Sequence, residues 1–231
     1  MKLGIFTDSH YSSAEVTCGN RYNSKSLEKI KSAYSYFEEQ NCDLVICLGD
    51  LTDVESTHEK ETENLRAIAK VMNQSPLKTL CLMGNHDGFA YTVKEFYGIL
   101  ESEQPDVHLL DGKTLIFLDA CYFKNGLHYQ PGDSGWTDTF YPHVEKLKSL
   151  LDGATGEVYI FLHQNIDPEI HESHRLFNAE EINKLILESG KVKAVFQGHY
   201  HPGAENVYGG VKYTAFPAMC QNEDACFVLE I

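Results

Sequence analysis

The chain has 231 residues, 42% of them hydrophobic, and carries 34 acidic against 19 basic residues for a formal net charge of −15. That length and content fit a soluble α/β domain with a full core and exclude gross disorder. So acidic a surface repels polyanions, which argues against long nucleic acid or an anionic membrane as partner.

No apolar stretch approaches the roughly 18 residues that a membrane helix needs. Met1-Lys2 runs straight into a strand-like segment with no cleavage-site pattern, so a cytoplasmic location is expected. The cysteines, at 18, 42, 47, 81, 121, 220 and 226, form no Cys-x-x-Cys pair. Cys42, Cys47, Cys81 and Cys121 lie in or beside apolar runs and read as reduced core thiols rather than a disulfide framework.

In chain order, residues 2–7 predict a first strand, left through Asp8-Ser9-His10. Residues 11–25 are polar and aperiodic, a loop directly after a candidate ligand pair; Arg21 and Tyr22 are its candidate substrate contacts. Ser24 or Ser26 is expected to cap a helix running to about Gln40, with Leu27, Ile30, Ala33, Tyr34 and Phe37 at helical spacing. A strand over 44–48 completes a βαβ unit. A helix over 59–73 buries Leu65, Ile68, Ala69 and Met72 and stops at Ser75-Pro76. A short strand at 79–83 follows, then a helix within 91–100.

Residues 106–110 and 114–120 predict strands joined by the Asp111-Gly112 turn signal. Residues 122–140 read as a long irregular loop, of a kind that is often functional. His143 to Leu151 is helical, 157–162 a strand, 164–177 a second polar excursion and 178–189 a helix. The last strand-like runs are 192–196, 211–216 and 225–231. With no linker, repeat or low-complexity segment, residues 1–231 are expected to form one domain.

Five apolar strands in this reading end in carboxylate, amide or imidazole. Residues 79–83 lead into Gly84-Asn85-His86-Asp87, and Leu3 to Phe6 into Asp8 and His10. Leu44 to Leu48 leads into Gly49-Asp50, with Asp53 three residues on. Val158 to Leu162 leads into His163, and Ala194 to Phe196 into Gly198-His199-Tyr200-His201. Strand carboxyl ends are where open α/β sheets bind ligands.

Each piece alone would pass for a turn, since Asn, Asp and Gly are common turn residues. The joint spacing is the signal, and it points to two divalent cations. Two such ions about 3.5–4 Å apart need a bridging carboxylate, for which Asp50 is the candidate. Asp8, His10, Asn85, His163, His199 and His201 supply the imidazole and oxygen mix that suits Mn²⁺, Fe or Zn²⁺ better than Ca²⁺. No cysteine falls at a matching position. The remaining histidines (58, 108, 128, 143, 171 and 174) read as structural, with His171 and His174 as further substrate-contact candidates.

These blocks resemble the signature of the calcineurin-like metallophosphoesterases: Asp-x-His, Gly-Asp-x-x-Asp, Gly-Asn-His-Asp/Glu, His, and Gly-His-x-His. Here they stand as Asp8-Ser9-His10, Gly49-Asp50-Leu51-Thr52-Asp53, Gly84-Asn85-His86-Asp87, His163 and Gly198-His199-Tyr200-His201. The resemblance implies a four-layer α/β/β/α sandwich of two mixed sheets. It implies one cation on Asp8, His10, Asp50 and His201 and another on Asp50, Asn85, His163 and His199. His86 would face the scissile phosphate as a catalytic residue, oriented by Asp53, and Asp87 would shape the turn. A metal-bridging hydroxide would attack phosphorus in line.

Where protein phosphatases of this superfamily carry Arg-Gly after Gly-Asp-x-x-Asp, this chain has Val54-Glu55, so a small, nucleotide-like phosphorylated molecule is the expected substrate. Two small-molecule branches look similar: class III cyclic nucleotide phosphodiesterases, through Gly49–Asp53, and Mn²⁺-dependent ADP-ribose/CDP-alcohol diphosphatases, through Arg21-Tyr22 and Gly198–Gly203. The alternatives are a phosphomonoesterase or a non-catalytic scaffold on the same fold, as in the metallophosphoesterase-like retromer subunit. Scaffolds can lose ligands or the catalytic histidine, and this chain keeps His86 and every ligand.

Overall fold

The computed structural model describes residues 1–135 and 140–231. Short apolar runs become strands and the amphipathic segments between them become crossover helices. One sheet holds β1 (Lys2–Phe6), β2 (Leu44–Cys47), β3 (Thr79–Cys81) and the closing β10 (Phe227–Glu230) in the order β10-β1-β2-β3. The first three are parallel and β10 is antiparallel to β1. The other sheet has β4 (Val107–Leu110), β5 (Lys113–Leu118), β6 (Val158–Leu162), β7 (Val192–Gln197), β8 (Ala204–Tyr208) and β9 (Val211–Ala215), ordered β4-β5-β6-β7-β9-β8. Strands β5, β6, β7 and β9 run parallel, with an antiparallel strand at each edge.

The two-residue period of a strand splits each one between two cores. On β1 and β2, Leu3, Ile5, Leu44 and Ile46 pack between the sheets against Phe117, Phe161 and Phe196. Their neighbours Phe6, Val45 and Cys47 face outward, under α1 (Ser26–Glu39), α2 (His58–Gln74) and α4 (Val93–Leu100). On the far side α5 (Val144–Gly153) and α6 (Ala179–Ser189) cover the second sheet through Leu147, Leu151, Ile182 and Ile186. The result is helices, sheet, sheet, helices: the four-layer sandwich that the family resemblance implies.

Several boundaries differ from expectation. Helix α1 has no side-chain cap; a 3-10 turn at Asn23–Lys25 winds into it, so neither Ser24 nor Ser26 plays the predicted part. The cap appears instead on α2, where Thr57 accepts from the Lys60 N–H. The Asn85–Asp87 stretch, read as a turn, opens a short helix, α3 (Asn85–Ala90). Strand β8 was not anticipated, because an exposed edge strand with the sequence Ala-Glu-Asn-Val-Tyr shows no apolar run. The Asp111-Gly112 turn is as expected: both residues have positive φ, 51° and 74°, which matches the twist of a tight hairpin.

Candidate metal centre

The parallel strands of both sheets deliver Asp8, His10, Asp50, Asn85, His163 and His199 to one place, and nearly all of these side chains are buried. Four of them sit in the left-handed backbone region rarely used by residues with a side chain: Asp8 (φ 52°), His10 (42°), Asp50 (54°) and His199 (61°). Such strain persists where the surroundings over-determine it, and it clusters at functional sites. Close approach of the loops requires glycine. A Cβ on Gly49 would stand 2.5 Å from the Gly84 nitrogen, and one on Gly84 would overlap Asp50 Oδ1.

Asp87 holds these loops together, in the structural part expected of it. Its Oδ2 accepts from the N–H of Asp50 (2.7 Å) and Gly84 (2.9 Å), and Oδ1 from Leu51 (3.0 Å). Asp50 in turn accepts the His86 N–H on Oδ1 at 2.8 Å. That leaves Asp50 Oδ2 between two imidazoles, 3.5 Å from His10 Nε2 and 3.2 Å from His163 Nε2. On one side, His201 Nε2 lies 3.3 Å from both His10 Nε2 and Asp8 Oδ1. On the other, His163 Nε2 lies 3.2 Å from Asn85 Oδ1, with the His199 ring 5.3 Å from the His163 ring.

Surrounding groups fix which atoms point inward. Asp8 Oδ2 accepts from Thr7 Oγ1 (2.6 Å) and from the His199 N–H (2.9 Å). Asp8 Oδ1, fully buried, has no hydrogen-bond partner among the described residues. His163 Nδ1 donates to the Leu48 carbonyl at 2.8 Å, which turns Nε2 toward the cluster. Carboxylate oxygens of Asp8 and Asp50, the first orphaned, lie 3.2–3.6 Å from inward-facing imidazole nitrogens, a donor set that fits two divalent cations.

The charges agree. Burial works against ionisation of Asp8 and Asp50, yet His163 and the neighbouring imidazoles outweigh it and hold both carboxyls well below their usual range. Burial also opposes the charge on His163, but Asp50 and Asp8 prevail and push it up to about 10. His199 is pushed down to about 3 by burial and by His163.

His86 stands at the mouth, its ring 4.6 Å from that of His10, and its Nδ1 lies 3.3 Å from Asp53 Oδ1. The loop over 11–25 supports that pair. Asp53 Oδ2 accepts from Asn23 Nδ2 (2.9 Å) and Thr17 Oγ1 (3.0 Å), with Arg21 Nη1 at 3.5 Å. Sequence reasoning missed Thr17 and Asn23, which carry no motif. Arg21 thus comes to the site through Asp53. Tyr22, next to it in the chain, is 40% exposed, with Lys25 Nζ 5.2 Å from its ring centre. His174 meets the His199 ring at 5.9 Å, whereas His171 is spent on an exposed turn with Ser173.

No cysteine follows a strand end as the other donors do, yet the fold brings buried Cys220 to the cluster: its Sγ and one ring nitrogen each of His10 and His201 lie within 4.8 Å of one another. The contact was invisible in sequence because Cys220 follows no strand end and is tied in place by hydrogen bonds to distant segments. The other core thiols are as expected, and all seven cysteines are unpaired.

A two-sheet α/β sandwich with buried carboxylates and imidazoles gathered at its strand ends defines the dinuclear phosphoesterase class of fold. The chain belongs to the calcineurin-like phosphoesterase family, whose pattern matches residues 1–203, and is a metal-dependent phosphoesterase. A probable cyclic nucleotide phosphodiesterase of Psychrobacter arcticus is 26% identical over 204 residues, 83% of this chain and 67% of that protein. Among solved structures, a dimetal phosphatase from Danio rerio superposes with a TM-score of 0.79 at 15% identity, covering 95% of this chain and 88% of that one. An archaeal phosphodiesterase superposes at 0.51 with 15% identity, covering 100% and 93%. Both structures share the fold.

Proposed function

We propose that the chain hydrolyses a phosphodiester or phosphoanhydride bond of a small, nucleotide-derived molecule, using two divalent cations of the Mn²⁺, Fe or Zn²⁺ type. Asp8, His10, Asp50 and His201 would hold one, and Asp50, Asn85, His163 and His199 the other. When bound, such a pair supplies Lewis-acid charge and brings deprotonation of water near neutral pH. The observation that carries the reading is Asp50 Oδ2, placed between His10 Nε2 and His163 Nε2 where a bridging oxygen is needed.

His86 acts on the phosphoryl group. Asp53 accepts from Nδ1, which fixes the tautomer and makes Nε2 the working nitrogen. Protonated, Nε2 meets charge growing on the phosphoryl oxygens and then passes its proton to the leaving oxygen. Asp53 is a positioning residue, and Arg21, paired to it at 3.5 Å, offers a substrate phosphate a basic group from the 11–25 loop. The phosphodiesterase name of the Psychrobacter relative supports a diester of nucleotide type. The sandwich core shared by both sheets supports treating 1–231 as one domain. Seven unpaired thiols support a reducing, cytoplasmic setting. Among the described residues no helix is long and apolar enough to cross a membrane.

The test is steady-state hydrolysis of ADP-ribose, CDP-choline and cyclic AMP by chelated, Mn²⁺-reconstituted protein. Nucleoside monophosphate released from either of the first two marks a diphosphatase, and preference for cyclic AMP marks a cyclic phosphodiesterase. No turnover on any of them with metal bound would overturn the nucleotide assignment and turn the search to phosphomonoesters or to a scaffold role.

A further inference from the structure

We propose that Cys220 is a sulfur ligand to the cation on Asp8, His10 and His201, so that the two cation positions are chemically unequal. The inference rests on the dimetal reading above. Cys220 is fully buried, and its placement does not depend on packing alone. The Cys220 N–H donates to the Asp8 carbonyl (3.0 Å), the Met219 N–H to the Thr7 carbonyl (3.0 Å) and the Ala218 N–H to the His201 carbonyl (3.1 Å). The segment is therefore tied to both ligand loops at once. The Cys220 carbonyl also accepts from the Tyr22 N–H at 2.8 Å, so both sides of its peptide backbone are fixed.

Two observations besides the thiol mark the place as a cation site. Asp8 Oδ1, 1% exposed as a residue and without a hydrogen-bond partner among the described residues, lies 3.3 Å from His201 Nε2 and 3.6 Å from His10 Nε2. The Cys220 Sγ shares that same pair of imidazoles within 4.8 Å. Carboxylate oxygen, two imidazole nitrogens and a thiol thus meet on one side of Asp50, while Asn85, His163 and His199 on the other side offer only nitrogen and oxygen.

Coordination forms a metal–sulfur bond and releases the thiol proton to solvent, with no change of oxidation state. Thiolate is a soft donor that selects Zn²⁺, Fe²⁺ or Co²⁺ over Mn²⁺, while nitrogen and oxygen ligands alone accept Mn²⁺ readily. The consequence is a mixed centre, with the thiophilic ion at the Cys220 side.

The experiment is titration of the chelated protein with Co²⁺, following metal stoichiometry and the near-ultraviolet sulfur-to-cobalt charge-transfer band. The expected result is a band that saturates with one of two bound equivalents, vanishes in Cys220→Ser and Cys220→Ala, and leaves the visible cobalt bands of the second position in place. In competition, the preference for Zn²⁺ over Mn²⁺ at that position should fall by no less than the ~10-fold that loss of an outer-shell partner costs. Two cobalt ions bound to wild type without a sulfur band would overturn the inference, whether or not the variants fold. So would a band that survives in the variants. Failure to bind cobalt stoichiometrically would instead remove the dimetal reading, and this inference with it.

Discussion

At the ends of β1, β2 and β6, Asp8, His10, Asp50 and His163 are no more than 1% exposed, whereas on the loops beside them Tyr22 is 40% and Phe177 56% exposed. The strand-end groups are held through neighbouring loops: Asp8 by Thr7 and His199, His163 by Leu48, and Asp50 by His86 and Asp87. The side chains of Tyr22 and His171 make local contacts within their own segments. The difference separates two tasks. The sheets fix charge and geometry where they cannot vary, and the loops offer side chains that adapt to whatever is attached to the phosphate. Part of the −15 charge belongs to the first task, since two divalent cations would return positive charge to these buried acids.

The largest expected effect strikes the strand ends. Asp50→Asn should lower kcat/KM by roughly 10⁴-fold, the scale of losing a central member of a catalytic unit. Metal content measured on the same protein should fall with it; full activity in this variant would remove Asp50 from the bridging position. His86→Ala tests the mouth of the site, with kcat expected to fall about 10³-fold while metal stoichiometry is retained. Loss of metal would reassign His86 as a ligand.

Asp87→Asn separates architecture from chemistry. It turns an NH₂ toward backbone N–H groups that now meet a carboxylate, and leaving these buried donors unsatisfied should cost about 3 kcal/mol in denaturant unfolding. On the loop side, Arg21→Ala should raise KM about tenfold if the guanidinium meets the substrate. A fall in kcat with KM unchanged would show instead that Arg21 acts only by holding Asp53.

The smallest effect lies farthest from the centre. His128 Nε2 meets Asp119 Oδ2 at 3.1 Å and Nδ1 meets the Tyr129 carbonyl at 2.7 Å, so both ring nitrogens face acceptors. Burial disfavours the charged ring, but Asp119 outweighs it and the pKa is raised. A raised His pKa contributes stability that is complete below the unfolded value near 6.5 and disappears as pH rises through the folded value. His128→Asn should therefore lose about 1 kcal/mol at pH 5.5, with the gap to wild type closing above that folded value. A constant gap across pH would assign the loss to packing.

Most elements were legible before any coordinates, because apolar runs ending in polar clusters carry both a strand and its site; the four layers were implied by the family resemblance that those clusters carry. Helix α2 and the β4–β5 hairpin follow from periodicity and from a turn pair with positive φ. Local signals failed where a tertiary partner set the outcome. The polar sequence of β8 becomes a strand only because β9 supplies its hydrogen bonds. Helix α1 starts without its serine cap because the preceding turn is held by Asn23, whose side chain bonds His10 and Asp53.

The site divides in the same way. Sequence by itself determined the candidate donors, since carboxylate and imidazole at strand ends follow from residue order, and order is local. Tertiary structure alone decided that Thr17 and Asn23 support Asp53, that the Tyr22 ring meets Lys25 and that Cys220 arrives beside His10 and His201. These depend on hydrogen bonds between segments up to about two hundred residues apart, such as that from the Cys220 N–H to the Asp8 carbonyl, and no spacing along the chain encodes such a distance in space.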